Sequence, residues 1–190
     1  MDTPNEYSPE ERRLLLRWAH AAIRSGVDEK ALDYTAPTPH LEELRGAFTT
    51  LHEDGRLRGC IGYVQAIFPL YRTVYETARA AAFHDPRFVP ITRNELSHLQ
   101  IEISVMSPLR PIEPQAVVVG VHGLVVSRGG YCGLLLPQVA SEYGWDRERF
   151  LAETCRKAGL PSDALARGAK LEAFTAEVFG EEYPGSSLVD

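Results

Sequence analysis

The first pattern along the chain is helical. Leu14, Leu15, Trp18, Ala22 and Ile23 recur at helical spacing behind Ser8-Pro9-Glu10-Glu11, a capping box with proline at the first helical position, and the pattern closes at Gly26. This spacing predicts an amphipathic N-terminal helix over 8–25. From Asp33 to His40 the threonines and prolines read as a loop leading into the body. Ala47 to Leu51 and Arg56 to Val64 then flank His52-Glu53-Asp54-Gly55, whose Asp-Gly pair signals a hairpin. A second helical stripe of small apolar residues, Leu70, Val74, Ala78, Ala81 and Ala82, is opened by Pro69 and ended by Asp85-Pro86, and suits close packing on a sheet.

Period-two alternation is cleanest from Leu99 to Met106. Leu99, Ile101, Ile103 and Val105 alternate with Gln100, Glu102 and Ser104, which predicts a strand with one face on a core and one in polar surroundings. Thr92 and Glu95 form a capping box for a short helix before it, and Pro108, Pro111 and Pro114 impose a loop after it. Val117 to Val121, Leu124 to Ser127 and Tyr131 to Leu136 read as short strands, the last two joined through Arg128-Gly129-Gly130 and stopped by Pro137. Asp146 caps a helix with Phe150, Leu151, Thr154, Cys155 and Ala158 on one face, closed by Gly159. A last strand is expected from Lys170 to Phe179, with a phase shift between Leu171 and Phe174 that reads as a bulge. Hairpins dominate, so the pattern favours an α+β fold with a largely antiparallel mixed sheet flanked by helices over a parallel doubly wound one.

Composition narrows the class. A chain of 190 residues suits one domain, with its core expected over about 45–181. With 44% hydrophobic residues and no apolar run long enough to span a bilayer, a soluble protein is expected. Met1-Asp2-Thr3-Pro4-Asn5-Glu6 has neither the basic nor the apolar region of a secretory signal, so the expected location is the cytoplasm. Three cysteines without CxxC spacing indicate neither a disulfide framework nor a zinc knuckle. The net charge of −6 disfavours a general grip on nucleic acid.

The densest chemistry sits in Leu57-Arg58-Gly59-Cys60-Ile61-Gly62. Two glycines around a thiol in an apolar strand imply that a backbone or a ligand approaches closely there. In an extended segment Leu57, Ile61 and Tyr63 share one face while Arg58 and Cys60 share the other, so the thiol is out of phase with the core. A guanidinium beside a thiol favours the thiolate, the form a nucleophile needs, whereas a buried cysteine serves as a small hydrophobe. Both roles stay open for Cys60. His84-Asp85-Pro86-Arg87 groups an imidazole, a carboxylate and a guanidinium past a helix end, as a substrate-orienting cluster, a general base or a simple helix stop. Glu102, mid-strand on the polar face, is a solvated side chain or, beneath a second layer, an acid or base. His122 before Gly123 has the look of a turn residue. Cys60, His84, Glu102 and His122 lack the short spacings of a zinc site, and no metal is assigned. Neither a dinucleotide nor a phosphate loop is present, nor HExxH or GxSxG. Cys155 belongs to its helix's apolar stripe, and Cys132 has no pattern behind it.

Taken together, the motifs resemble the AMMECR domain family, known in prokaryotes as AmmeMemoRadiSam system protein A. The resemblance is carried by Leu57-Arg58-Gly59-Cys60-Ile61-Gly62, Ala81-Ala82 with Asp85-Pro86-Arg87-Phe88, Glu95-Leu96, and Ile101-Glu102-Ile103-Ser104-Val105. Further on it continues in Gly133-Leu134-Leu135-Leu136-Pro137-Gln138-Val139, Cys155-Arg156-Lys157-Ala158-Gly159-Leu160 and Phe174-Thr175-Ala176, so that it spans about residues 11–181. Leu165 stands where the family is expected to carry tryptophan, and Cys132 belongs to no family motif. The resemblance implies two unequal lobes, a functional role for the cysteine motif with Gly59, Gly62 and Gln138 as motif or binding residues, and a system shared with a Memo-like and a radical-SAM protein. It implies no reaction and no cofactor. One reading makes Cys60 the reactive centre of an enzyme, with Arg58, His84, Asp85, Arg87 and Glu102 around it in a cleft. Another makes the motif face a docking surface for those partners, and a third, regulatory nucleic-acid binding, is opposed by the charge.

Overall fold

The computed structural model describes residues 6–32 and 35–181. Asp33 and Tyr34, which open the expected loop, and the N-terminal residues read for a secretory signal, up to Asn5, lie outside the described residues. The described residues form two compact units, one comprising those up to 106 together with 177–181, the other 107–176.

In the first unit Ser8 caps α1 (Pro9–Val27), its hydroxyl accepting the Glu11 N–H while Glu11 reaches back to the Ser8 N–H. The expected hairpin follows as β1 (Ala47–Glu53) and β2 (Arg56–Tyr63). Its two-residue turn places Asp54 at φ 48° and Gly55 at φ 79°, the left-handed pair that matches strand twist. α2 (Leu70–Phe83) and β3 (Leu99–Met106) come next, and β8 (Ala176–Gly180) returns at the end of the chain to complete a sheet of order β2-β1-β3-β8. The capping box at Thr92 and Glu95 forms, around one 3-10 turn rather than an α-helix.

α1 and α2 pack together and cover one face of this sheet. Leu51, Ile101 and Ile103 from the strands, Val74, Ala78 and Ala81 from α2, and Ala19 and Ile23 from α1 are all buried there. Each large aliphatic side chain so buried contributes roughly 1.5–3 kcal/mol relative to exposure. The alternation of β3 is fully expressed, Leu99, Ile101, Ile103 and Val105 lying inward and Gln100, Glu102 and Ser104 on the opposite face.

The second unit contains β4 (Arg110–Pro111), β5 (Gly123–Arg128), β6 (Tyr131–Leu135), α3 (Pro137–Glu142), α4 (Arg147–Lys157) and β7 (Lys170–Phe174). Its sheet runs β4-β7-β5-β6, and Leu124, Val126, Phe150, Cys155 and Leu171 form its core. The α+β, largely antiparallel architecture is therefore as expected, with the strands divided between two sheets.

Three further expectations change. The strand foreseen at Val117 to Val121 is a turn region after a 3-10 turn at Pro114–Ala116, and leaves Val118 and Val121 exposed. Pro137 does end the strand, but it also starts α3, where its fixed φ and missing N–H suit the first helical turn. The single strand foreseen from Lys170 to Phe179 is two strands broken at Thr175. Its phase shift records the passage from one sheet to another, not a bulge.

Candidate functional site

A bulge does lie elsewhere, inside the cysteine motif. Leu51 faces Gly59 and His52 faces Leu57, so Arg58 is an extra residue in β2. The strict alternation assumed for this segment therefore breaks, and Leu57 is paired off the core face and 43% exposed instead of sharing the face of Ile61. Beyond the bulge the expected phase holds. Gly59 pairs with the buried Leu51, and Ile61 packs on the core, while half-buried Cys60 faces the other way.

The glycines answer the expectation of a close approach. A Cβ on Gly59 would run into the carbonyl oxygen of Ala81, because the backbone of α2 lies directly against β2. One on Gly62 would meet the ring of Phe48 and the carbonyl of Ala47. Both glycines therefore serve packing around the cysteine.

β2 is an edge strand, and the outward N–H and C=O of its residues need partners. Asp85 and Arg87 supply them at Cys60. After α2 ends, the Phe88 N–H closes a turn onto the Asp85 carbonyl at 3.1 Å and brings Arg87 back over its neighbour. Asp85 Oδ2 accepts the Cys60 N–H at 2.9 Å, and Arg87 Nη2 donates to the Cys60 carbonyl at 3.2 Å. Arg87 also grips both carboxylate oxygens of Asp85, Nε to Oδ1 at 2.9 Å and Nη2 to Oδ2 at 2.7 Å. The Arg87 hydrogen bonds hold the Asp85 carboxyl well below its ordinary range, against the opposing effect of burial, and the Cys60 N–H adds to the lowering. With all its acceptor directions engaged, Asp85 is not the general base that the sequence left open. Its carboxylate fixes the backbone of Cys60.

Because the main-chain groups of Cys60 point away from β1, Cys60 and Thr50 form a non-hydrogen-bonded pair, the kind whose side chains approach most closely. The Thr50 hydroxyl accordingly donates to Cys60 Sγ at 3.3 Å. Glu102 is the partner of Thr50 on the far side, so Cys60, Thr50 and Glu102 make one row across β2, β1 and β3. The half-buried Glu102 carboxylate has no hydrogen bond or ion pair among the described residues.

Arg58, expected beside the sulfur, is turned to Glu95, Nε to Oε1 at 2.8 Å. Its Nη1 is buried without a partner. Burial alone would raise the Glu95 carboxyl, but the Thr92 N–H and hydroxyl and Arg58 outweigh it and leave a net lowering. The guanidinium that touches Cys60 is that of Arg87. Phe88 sits near both, 5.5 Å from the Arg87 guanidinium and 6.0 Å from that of Arg58. A hollow of about 480 Å³ at the hairpin end is lined by Arg58, Arg56, Leu57, Glu53 and Asp54, and Cys60 does not line it. His84 caps α2 through its backbone and is exposed, its imidazole unbonded among the described residues. Gln138 is exposed on α3 in the second unit, where His122 also lies. Thr50 is the neighbour of Cys60 that sequence reading missed. The hairpin register, counted from Asp54-Gly55 with one bulge, is the signal that places it opposite Cys60.

Among the described residues, Glu6, His40 and Glu43 bring donor atoms within 4.8 Å of one another, the spacing a metal would need. Arg45 already bonds both glutamates at 2.7 Å, so that cluster is an ion-pair knot. Cys155 is buried in α4 and burial pushes its thiol up, as expected of a core cysteine, whereas Cys132 is exposed on β6. No helix of the described residues is long and apolar enough to cross a membrane.

The chain is similar to known proteins over most of its length. A protein of Thermococcus gammatolerans is 45% identical over 184 residues, covering 90% of each chain. Protein PF1979 of Pyrococcus furiosus is 48% identical over 158 residues, 77% of this chain and 75% of its own length. Among solved structures, the crystal structure of an uncharacterized protein from Pyrococcus horikoshii superposes with a TM-score of 0.80 at 42% identity, covering 93% of this chain and 94% of that one. The AMMECR1 family profile matches residues 16–179, a span holding the Cys60 row and its Asp85–Arg87 clamp, and the chain therefore belongs to the AMMECR1 family.

Proposed function

We propose that the protein is a cysteine-dependent enzyme in which the Cys60 sulfur attacks an electrophilic group or carries one. It works in the cytoplasm, within an AmmeMemoRadiSam-type system alongside a Memo-like and a radical-SAM protein. The carrying observation is the Thr50 hydroxyl donating to Cys60 Sγ at 3.3 Å, on a residue whose backbone is held from outside by Asp85 and Arg87. A hydroxyl aimed at sulfur stabilises the thiolate, and a fixed backbone lowers the reorganisation needed to present it. Glu102, one strand further on the same face, supplies the carboxylate that takes up or returns a proton. Arg87 borders the sulfur-bearing residue with a cation, which in turn lies 5.5 Å from the Phe88 ring.

Competitive alkylation tests this reading. Trace iodoacetamide near neutral pH, followed by peptide mass spectrometry, is expected to modify Cys60 faster than the more exposed Cys132, with Cys155 labelled only after unfolding. Labelling of Cys60 no faster than that of Cys155 would reject it. The docking alternative draws on two exposed apolar side chains, Leu57 within the cysteine motif at 43% and Val89 just after Asp85-Pro86-Arg87-Phe88 at 74% exposure. It predicts that co-purification of the Memo-like or radical-SAM partner survives Cys60→Ser and is lost with Leu57→Asp or Val89→Asp.

A further inference from the structure

The second unit carries, by itself, a hollow of about 360 Å³. That size falls in the range in which proteins hold small molecules, roughly 300–1,000 Å³. Its walls are apolar and its polar groups are donors. Phe174 is 2% exposed, and its ring occupies the space that a Cβ on Gly123 would need, so this wall is seated by the sheet. Ile112 and two prolines, Pro108 and Pro111, complete the apolar lining.

Arg110 enters from β4, where pairing with Ala173 fixes its backbone. Its guanidinium has no carboxylate partner among the described residues, and neither aspartate nor glutamate lines the hollow. His122 adds a second donor. Its Nδ1 accepts the Val118 N–H at 3.0 Å, so the neutral ring carries its proton on Nε2. Thr175 is held in place by reciprocal bonds with Ser107, its N–H donating to Ser107 Oγ at 3.0 Å and its carbonyl accepting the Ser107 N–H at 2.9 Å. The Thr175 hydroxyl itself has no partner among the described residues.

We infer that this hollow binds a small organic carboxylate whose apolar body lies against Phe174 and Ile112 and whose charged end meets Arg110, His122 and Thr175. One guanidinium fork matches a single carboxylate. A phosphate, bearing more charge and no apolar part, would be served by more cations and fewer hydrophobic walls. The site is independent of Cys60 and of the chemistry proposed for it.

Titration of the isotopically labelled full-length protein with benzoate, followed by two-dimensional NMR, tests the inference. Saturable shifts confined to the neighbourhood of Arg110, His122 and Phe174 are expected, with affinity at least about tenfold above that for acetate and weakened about tenfold or more by Arg110→Gln. Arg128→Gln, an exposed arginine of the same unit outside the hollow, is expected to leave the affinity unchanged. No saturable shift up to 20-fold excess over a roughly millimolar dissociation constant would overturn the inference. So would equal affinity in Arg110→Gln, or tighter binding of inorganic phosphate than of benzoate.

Discussion

Asp85 accepts the main-chain N–H of Cys60 at 2.9 Å, and this bond defines what the Asp85-Pro86-Arg87 segment does. The carboxylate stands where a further strand would otherwise pair with the edge of β2, and Arg87 completes the substitution by donating to the Cys60 carbonyl. A pair of side chains thus performs at one residue what a strand would do along a row. The positions that looked like an acid–base cluster in the sequence hold the nucleophile candidate in register.

Asp85→Asn is expected to lower stability by about 2 kcal/mol near pH 7, because a buried charge-assisted acceptor is replaced by a group that offers Arg87 an N–H. Arg87 is more than half exposed, so solvent screens its share and most of the loss comes from the buried side of the pair. The folded-state carboxyl lies below its unfolded value of 3.8, so its contribution is fully present above about pH 5 and fades as the pH falls through the folded value. Urea unfolding of both proteins checks this. The gap between them should be constant from pH 8 to 5 and narrow progressively as the pH falls below about 4.

Arg58 and Arg87 are expected to separate under substitution. Arg58→Gln breaks the bond to Glu95 and costs stability, about 1–2 kcal/mol for a largely buried pair, yet leaves the rate of Cys60 alkylation within about twofold of wild type. Arg87→Gln removes the donor to the Cys60 carbonyl and strips the buried Asp85 carboxylate of its main partner, so it is expected to slow alkylation several-fold with a stability loss at least as large. The same iodoacetamide assay, run beside urea unfolding, reads both effects. The reverse pattern would return Arg58 to the role that its place in the motif first suggested.

Elements whose side-chain period matches their backbone were legible from the residues alone: α1 from its capping box, the hairpin from Asp54-Gly55, and β3 from its alternation. What the sequence hid was non-local. The bulge at Arg58 is invisible in a period count, because one extra residue turns Leu57 off the core face without changing composition. The break at Thr175 gave only a phase shift, which a bulge and a change of sheet produce alike. At the site, hydrogen bonds bring Cys60, Asp85 and Arg87 together, but the part each plays depends on which backbone groups the edge of β2 leaves open, and that is non-local. Thr50 went unnoticed because a threonine inside a strand carries no local mark.

Gly59→Ala is expected to be among the most disruptive single-methyl changes in the chain. Its Cβ would collide with the Ala81 carbonyl, which is backbone and cannot rotate away, so either β2 or α2 must shift. Overpacking of this kind costs typically 1–3 kcal/mol, and here the upper end is expected. Gly129→Ala, in a turn with open space around the added methyl but at φ 56°, should cost less, about 1 kcal/mol from the backbone alone. Thermal unfolding of the two variants compares them directly.

Thr50→Val removes the one hydroxyl that addresses Cys60 Sγ while keeping β-branching and nearly the same shape. The β1–β2–β3 register does not use that hydroxyl, so the fold should stay intact, with a stability change within about 1 kcal/mol. If the hydroxyl stabilises the thiolate, loss of a hydrogen bond worth about 1–1.5 kcal/mol should slow iodoacetamide alkylation of Cys60 roughly five- to tenfold at neutral pH. Thr50→Ser, which keeps the donor, should recover much of the rate. Labelling of Cys132, on β6, serves as the internal standard in each sample. An unchanged Cys60 rate in Thr50→Val would mean that the 3.3 Å bond is a packing contact, and the cysteine-dependent reading would lose the observation that carries it.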